Sequence, residues 1–229
     1  MKKLVATLLL SLGLLTTATA QALSLADFTQ SQATSSVRQL LEQGSELAIN
    51  QLGKQGGFSN SPEWRIPLPA NLQKPADWMR RLGQGKYVTR LEDSLNAAAE
   101  QAVPHARELF VHSISQLTIA DAKNIISGQP TAATDFLRRT SETELRNRFL
   151  PIVKQQTSKT ALVEHYNTAA KKARKFGFDQ KKTQPIEEYV TDQAIDSLFA
   201  LLGEHETSLR ANPQQAASNL LKQILGAGK

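Results

Sequence analysis

Apolar residues recur with the period of an α-helix along most of this chain, and no segment of useful length alternates as a strand does. The longest predicted helix has an inner stripe that begins with alanines and continues with larger apolar residues. Alanine at so many positions would let a neighbouring helix approach closely. The helices predicted in this way span residues 33–52, 75–82, 89–117, 159–176, 185–209 and 214–225.

The stretch from Leu117 to Leu137 carries a dense set of helix signals. Thr118 and Asp121 have the spacing of a capping box, in which each side chain accepts from the other residue's backbone amide. Gly128 is expected to take the left-handed conformation that ends many helices, and Pro130 suits the start of the next one. The pattern predicts a short helix, a tight corner and a second short helix.

Two further capping boxes are predicted, one beginning at Thr89 and one at Ser141. Pro104 should kink the long helix because it cannot donate to the carbonyl of Glu100. That turn would then place a free backbone carbonyl beside the Glu100 carboxylate. It could be a simple bend in the helix or part of a functional site. Pro151 is expected to kink or stop the helix that follows Ser141.

Residues 58–75 break the helical pattern, because proline alternates with apolar residues. We expect an extended segment with Trp64, Ile66 and Leu68 facing the protein interior. The predicted fold class is all-α: a single compact multi-helix bundle with one extended proline-containing segment, preceded by a signal peptide.

Residues 1–20 have the features of a secretory signal peptide: a positive start, an apolar run and a small-residue cleavage site ending at Ala20. A cut after Ala22 is the alternative. The remaining residues, 21–229, are expected to form a single helical domain located in the periplasm. With no cysteine in the sequence, we expect neither a lipoprotein nor disulfides nor thiolate chemistry.

Removal of Lys2 and Lys3 with the signal lowers the formal net charge from +6 to +4. A basic exported protein favours anionic envelope components as partners, such as lipid head groups or acidic polysaccharide, and nucleic acid is not expected. No later segment is apolar over the roughly 20 residues that a membrane span needs. A cluster of basic residues could bind anions or could be a solvated helix face: Lys171, Lys172, Arg174, Lys175, Lys181 and Lys182.

Six polar residues on three predicted segments are a second candidate site. If they converge, Arg210 could pair with Glu100 or Asp121 and leave the other carboxylate available for acid–base chemistry. The alternatives are helix capping by Asp121 and Thr134 with surface pairing of Glu206 and Arg210, or a buried structural network. The six residues are Asn96, Glu100, Asp121, Thr134, Glu206 and Arg210.

No known catalytic, phosphate-binding or cofactor motif is present, and no cofactor is expected. His105 and His112 lie about 10.5 Å apart along one predicted helix, too far to share a metal on their own. His165 and His205 stand alone. Three hypotheses remain: a binding module for an anionic envelope component or a protein partner, a hydrolase-type enzyme using Glu100 and Asp121 with Arg210, and an obligate oligomer joined through its alanine-rich helix face.

Short motifs run in a fixed order through nearly all of the chain after the predicted signal. They are LNAAAE at 95–100, Thr118 with Asp121-Ala122, Gly128, AAT at 132–134, FLPI at 149–152, Tyr189-Val190, Leu198-Phe199, and Leu209-Arg210 with Pro213. Together they resemble the bacterial family catalogued as domain of unknown function 4197. The chain departs from that pattern near Gly57 and at Ser197, Ala216 and Leu225. The resemblance implies an exported or envelope-associated protein and supplies no activity or catalytic residue.

Overall fold

All regular structure in the described part of the chain is helical, which confirms the predicted fold class. The computed structural model describes residues 29–158, 163–164, 166–168, 171, 184–216 and 218–227. The predicted signal peptide and most of the helix predicted at 159–176 lie outside these residues. The helices are α1 (Gln30–Leu52), α2 (Ala70–Arg81), α3 (Gly85–Ala102), α4 (Ala106–Ser115), α5 (Ile119–Ile126), α6 (Ala132–Thr157), α7 (Ile186–Ala211) and α8 (Asn219–Ala227), with 3₁₀ turns at Val103–His105 and Pro213–Gln215.

Helix α6 is at the centre of the packing, because it makes extensive contacts with both α3 and α7, while α1 packs against α4, α5, α7 and α8. A single hydrophobic core runs through the helices from Val37 to Leu225. The alanine-rich stripe of α3 and α4 is fully buried within this one chain. It is therefore not available to meet a second copy, and the oligomer predicted through this face is not supported. Among the described residues, no helix has both the length and the apolar character needed to cross a membrane.

Residues 65–69, before α2, lie outside any helix or turn and fit the predicted extended segment, whereas residues 58–60 and 62–64 form turns. Trp64, Ile66 and Leu68 are buried as predicted. Helix α2 begins at Ala70, five residues earlier than predicted, and contains Pro75 in its interior. Pro75 removes one backbone hydrogen bond near the first turn. Burial of Ala76, with Leu72 packed against the core beside it, favours the helix over the break.

The predicted kink at Pro104 is confirmed, since the long helix is divided there by the Val103–His105 turn. Its predicted start is wrong: α3 begins at Gly85, and Thr89 lies inside it rather than at its N-terminus. The first turn of α3 places Val88 in the core. The burial of Val88 favours a helix that begins before the capping signal at Thr89.

The corner between α5 and α6 is present, and the capping box of Thr118 and Asp121 is confirmed, with Asp121 N donating to Thr118 Oγ1 over 3.1 Å. The prediction for Gly128 is wrong, because its φ is not positive. A Cβ there would lie 2.5 Å from Asn124 O, so the residue is needed for close approach. The last carbonyls of α5 are satisfied by Arg210 instead, as described below.

The second helix of the corner is long rather than short, because α6 continues without a break to Thr157. Ser141 does not start a helix: its hydroxyl donates to Leu137 O over 2.6 Å within α6. Pro151 does not stop the helix either. Phe149, Val153 and Thr157 are fully buried on both sides of it, and this packing outweighs the lost hydrogen bond.

Candidate binding groove

An open groove of about 920 Å³ lies between the second half of α1 and the chain that follows it. Its volume is within the range of small-molecule sites. Side-chain amides are the commonest polar groups of its lining, which also has one carboxylate and one ammonium. We call this feature the amide groove; its lining residues are Gln43, Glu46, Leu47, Asn50, Gln51, Lys54, Gln55, Gly56, Gly57, Asn60, Ser61 and Trp64.

The wall formed by α1 follows from the two faces of that helix. Residues at helical spacing such as Leu41, Ala48 and Leu52 are buried in the core. Gln43, Asn50 and the other α1 residues of the groove project on a different side, one or two turns apart. The helix therefore presents a row of amides while its opposite face holds it in the bundle.

The other wall is a tight loop that begins where α1 ends. Gly56 has φ +84, a conformation that favours glycine. A Cβ on Gly57 would lie 2.4 Å from Leu52 O, so only glycine fits against the end of the helix. The loop then turns through Asn60 N, which donates to Gly56 O over 3.2 Å, while Phe58 is fully buried beneath it.

Glu100 anchors this loop from α3. Its Oε1 atom accepts from Phe58 N at 3.1 Å, Ser59 N at 2.8 Å and Ser59 Oγ at 2.8 Å, and the residue is buried. A carboxylate that accepts several hydrogen bonds in a buried place is a strong anchor for the groups that donate to it. Glu100 thus fixes the loop wall of the amide groove.

Asn96, one turn before Glu100, holds the far end of the same segment. Its Oδ1 accepts from Ile66 N over 2.8 Å, and its Nδ2 donates to Ile66 O over 3.0 Å. The side-chain amide thereby satisfies both backbone groups of Ile66, as a neighbouring strand would. Arg65 adds an ion pair to Asp93 at 3.0 Å, so the segment is attached to α3 at several points.

Two polar atoms of residues that line the groove are buried without a hydrogen-bond partner within the described protein: Gln43 Oε1 and Trp64 Nε1. Trp64 is only 9% exposed. A buried unpaired donor or acceptor costs about 1–3 kcal/mol, so such groups are uncommon unless they have a role. The other buried side-chain atoms without a partner in the described residues are the hydroxyls of Ser36, Ser45 and Thr191, which do not line the groove.

A second polar network joins α5, α6 and α7. Glu206 is 3% exposed and accepts from Ala133 N, Thr134 N and Thr134 Oγ1 at 2.8–2.9 Å, so its carboxylate caps the start of α6. Arg210 Nη2 donates to Glu206 Oε1 and to Ile125 O, both at 2.8 Å. The pair therefore provides hydrogen-bond partners for a carbonyl at the end of α5 and for the first amides of α6.

The interior of this second network is too small for a ligand, although Arg210 also lines an open pocket of about 350 Å³ and Thr134 one of about 650 Å³. The cavity lined by Thr134 and Glu206 measures about 10 Å³, near the lower limit for one water molecule. We interpret the network of Thr134, Glu206 and Arg210 as structural, because it connects α5, α6 and α7, and we call it the joint. The prediction of surface pairing for Glu206 and Arg210 is wrong, because Glu206 is buried.

The six polar residues singled out from the sequence thus lie in three groups. Asn96 and Glu100 hold the loop, Thr134, Glu206 and Arg210 form the joint, and Asp121 stays in its capping box with Thr118. Arg210 pairs with Glu206 rather than with Glu100 or Asp121, because the carbonyls of α5 and the carboxylate on its own helix lie within reach. Among the described contacts, no hydrogen bond or ion pair joins the first group to the second.

The remaining predicted sites lie only partly within the residues that the structure describes. Lys171 is exposed, and the other five residues of the basic cluster lie outside the described residues, as does His165. His105 and His112 are exposed, and His205 is half-buried. No group of three or more His, Asp or Glu side chains in the described part of the chain could hold a metal ion.

Sequence reasoning missed the residues that line the groove itself. The available signal was the set of amides on the α1 face opposite the core, at Gln43, Asn50 and Gln51, followed directly by Gly56-Gly57 and Asn60. Amides on a helix surface are common. Only the fold shows that they face a loop.

A family model described as "Protein of unknown function (DUF4197)" matches residues 27–226. The chain belongs to this family. Its sequence motifs now have structural roles, since LNAAAE includes both loop anchors and AAT forms the capped start of α6. Comparisons with curated proteins and with solved structures gave no match.

Proposed function

We propose that this DUF4197 protein is an exported, non-catalytic binding protein that recognises a neutral saccharide bearing N-acetyl groups in the amide groove. The observation that carries the proposal is the set of side-chain amides that lines the groove. An acetamido group offers one donor and one acceptor, and sugar hydroxyls offer both. These groups complement side-chain amides.

The charges at the groove favour a neutral ligand over an anion. The Glu46 carboxylate is paired with Arg107 and accepts from Asn50, which leaves Lys54 as the ammonium of the lining. A single exposed ammonium is a weak anion site. The binding hypothesis is therefore retained from the sequence, while its anionic version is not the one that this groove supports.

The carboxylates near the groove support a binding role rather than a catalytic one. Glu100 is occupied by the backbone amides of Phe58 and Ser59, and Glu46 by Arg107. Acid–base chemistry requires a carboxyl group within hydrogen-bond reach of the substrate. Glu100 therefore has a structural role in holding the loop.

The ligand test is a titration of the protein with tetra-N-acetylchitotetraose, followed by backbone amide NMR shifts. Cellotetraose, which lacks the acetamido groups, is the matched control sugar. We expect saturable shifts centred on residues 43–64 with the first sugar and weaker ones with the second. Equal shifts with both sugars, or none with either, would overturn the proposal.

Variants localise the site. Gln51→Ala and Asn60→Ala each remove one amide of the groove and are expected to weaken binding by roughly 3- to 10-fold, the value of one hydrogen bond. Gln101→Ala and Asn124→Ala remove exposed amides elsewhere and should leave binding unchanged. Loss of binding in the controls alone would place the sugar outside the groove.

Export is proposed from the first twenty residues, whose positive start, apolar run and small-residue end support cleavage. Expression in a Gram-negative host, followed by fractionation and mass measurement, should give a periplasmic chain that begins at Gln21, or at Leu23 for the alternative cut. An unprocessed chain in the cytoplasm would contradict this part of the proposal.

A further inference from the structure

The corner between α2 and α3 exposes large apolar side chains. Trp78 is 67% exposed, Leu82 66% and Tyr87 46%, and all three lie within ten residues of one helix–turn–helix. Large exposed apolar residues grouped in this way mark interaction sites more often than scattered ones do. We call residues 74–90 the α2–α3 corner.

Helix α2 has two distinct faces. Ala76 is buried and Leu72 and Met79 pack against the core, which defines its inner side. Trp78 and Leu82 lie one turn apart on a different side, and Leu82 N donates to Trp78 O over 3.0 Å, which keeps them in helical register. Their exposure is therefore fixed by the packing of the other face.

A rigid turn presents these side chains at the end of α2. Gly83 has φ +74, and Gly83 N and Gln84 N donate to Arg80 O and Met79 O at 3.2 and 2.8 Å, which closes a Schellman motif. Apart from its two chain neighbours, no atom in the described part of the chain lies within 4 Å of the position that a Cβ on Gly83 would take. The turn thus projects into open space.

Basic residues surround the exposed apolar group. Residues 74–90 contain five basic residues and one acidic residue, Asp77. Arg80 is paired with Asp77 and Glu92, at 2.9 and 2.6 Å. The other four basic residues have no carboxylate partner within the described part of the chain: Lys74, Arg81, Lys86 and Arg90.

We propose that the α2–α3 corner docks the protein onto an anionic lipid surface. Tryptophan and tyrosine favour the boundary between water and hydrocarbon, and lysine and arginine beside them bind acidic head groups. A projecting, lysine-bearing tip suits a lipid surface better than a protein partner, because protein interfaces are depleted in lysine. This proposal is independent of ligand binding in the amide groove.

The test uses the protein as processed by its cell, with vesicles of phosphatidylglycerol mixed with phosphatidylcholine and vesicles of phosphatidylcholine alone. We expect sedimentation with the anionic vesicles only, weakening as salt rises. The sequence contains two tryptophans, and Trp64 is buried. A blue shift of fluorescence and protection from acrylamide on binding therefore report on Trp78.

Two pairs of changes separate the apolar and the electrostatic parts. Trp78→Ser with Leu82→Ser should abolish the insertion signal and weaken binding at least tenfold. Lys74→Gln with Arg81→Gln should weaken binding by about 25-fold at low salt, taking about fivefold for each basic residue near an anionic surface. Val111→Ser with Ile119→Ser, which alters exposed apolar residues of α4 and α5, is the matched control.

Three results would overturn the proposal: no sedimentation with anionic vesicles, equal loss of binding in the control pair, or binding unaffected by the first two pairs. If Trp78→Ser with Leu82→Ser instead abolishes a dimer seen by analytical ultracentrifugation, the corner joins copies of the chain. Thermal unfolding of each variant shows whether it is folded. If Trp78→Ser with Leu82→Ser does not fold, Lys74→Gln with Arg81→Gln still tests the proposal, because it leaves the apolar residues in place.

Discussion

A hydroxyl followed three residues later by a carboxylate or amide occurs at several places in this chain, with different outcomes. Thr118 caps α5, whereas Thr89 and Ser141 lie inside helices. Thr29, which sequence reasoning passed over, forms a capping box with Gln32 at the start of α1. At the scale of the residue, the pattern marks where a cap can form. The preceding backbone decides whether amides are free to be capped.

Thr118→Ala should lower the free energy of unfolding by about 0.5–2 kcal/mol, because the amide of Asp121 loses its acceptor. Urea denaturation measures the change. Thr89→Ala is the matched control, since Thr89 is exposed within α3 and alanine favours a helix interior. Equal destabilisation by both changes would contradict a specific role in capping.

Burial raises the pKa of the Tyr189 phenol above its ordinary value of about 10, and the neighbouring Tyr166 raises it further. Because the folded-state pKa exceeds the unfolded one, the associated stability is fully present below pH 10 or so and is lost as the pH rises through the folded-state pKa. Stability should therefore fall from about pH 10 upward. Tyr189→Phe should make that fall shallower.

Urea denaturation between pH 8 and pH 11 tests this expectation, with the exposed Tyr87→Phe as control. Below pH 10, Tyr189→Phe also loses the hydrogen bond to Pro67 O, worth up to about 1 kcal/mol. Identical alkaline profiles for native protein and Tyr189→Phe would show that another group controls the loss.

At the scale of the element, helix ends are held by side chains from distant parts of the sequence. Glu206 and Arg210 of α7 satisfy the start of α6 and the end of α5, which lie more than 70 residues away in sequence. This arrangement explains why Gly128 does not need a left-handed conformation. It also makes the corner dependent on α7.

Glu206→Ala should lower the free energy of unfolding by about 3–5 kcal/mol, because it leaves Arg210 without its carboxylate and the first amides of α6 without an acceptor. Glu204→Ala, on the exposed face of the same helix, should change it by less than about 0.5 kcal/mol. A loss for Glu206→Ala no larger than that of the control would contradict the joint. Chemical denaturation of both variants provides the comparison.

The sequence predicted the helical class, the extended segment, the break at Pro104 and the capped start of α5, because each depends on local periodicity or on a nearby proline. It failed where burial overrides local preference, as at Pro75 and Pro151. The amide groove could not be predicted, because its walls meet only after Glu100 and Asn96 attach the loop to α3. Those two anchors were identified as polar residues of interest, but apart from the Ser59 hydroxyl their partners in the loop are backbone groups, which carry no sequence signal.

At the scale of the whole molecule, the buried alanines of α3 limit the space available in the core. Ala99 is one of them and is fully buried. Ala99→Leu should lower the free energy of unfolding by about 1–3 kcal/mol through overpacking, at every protein concentration. Ala120→Leu, on the exposed surface of α5, is the control and should be nearly neutral.

The dependence on concentration separates the internal contact from one between copies. Loss of stability that grows on dilution would indicate that the alanine-rich face joins two chains, since dissociation then precedes unfolding. Thermal melts of Ala99→Leu and of the native protein at several concentrations make the distinction. We expect parallel melts that do not shift with dilution.

The loop wall of the amide groove is attached through main-chain atoms: Glu100 accepts from the amides of residues 58 and 59, and Asn96 binds both backbone groups of residue 66. Apart from the Ser59 hydroxyl, which also donates to Glu100, these anchors contact the main chain and not the side chains. Outside the glycines, the buried Phe58, and the two serines that bond to Glu100 and to Trp64 N, new sequences at residues 54–63 can follow the same path on an unchanged helical support. The groove is therefore a site whose selectivity can be diversified by a loop library without rebuilding the scaffold.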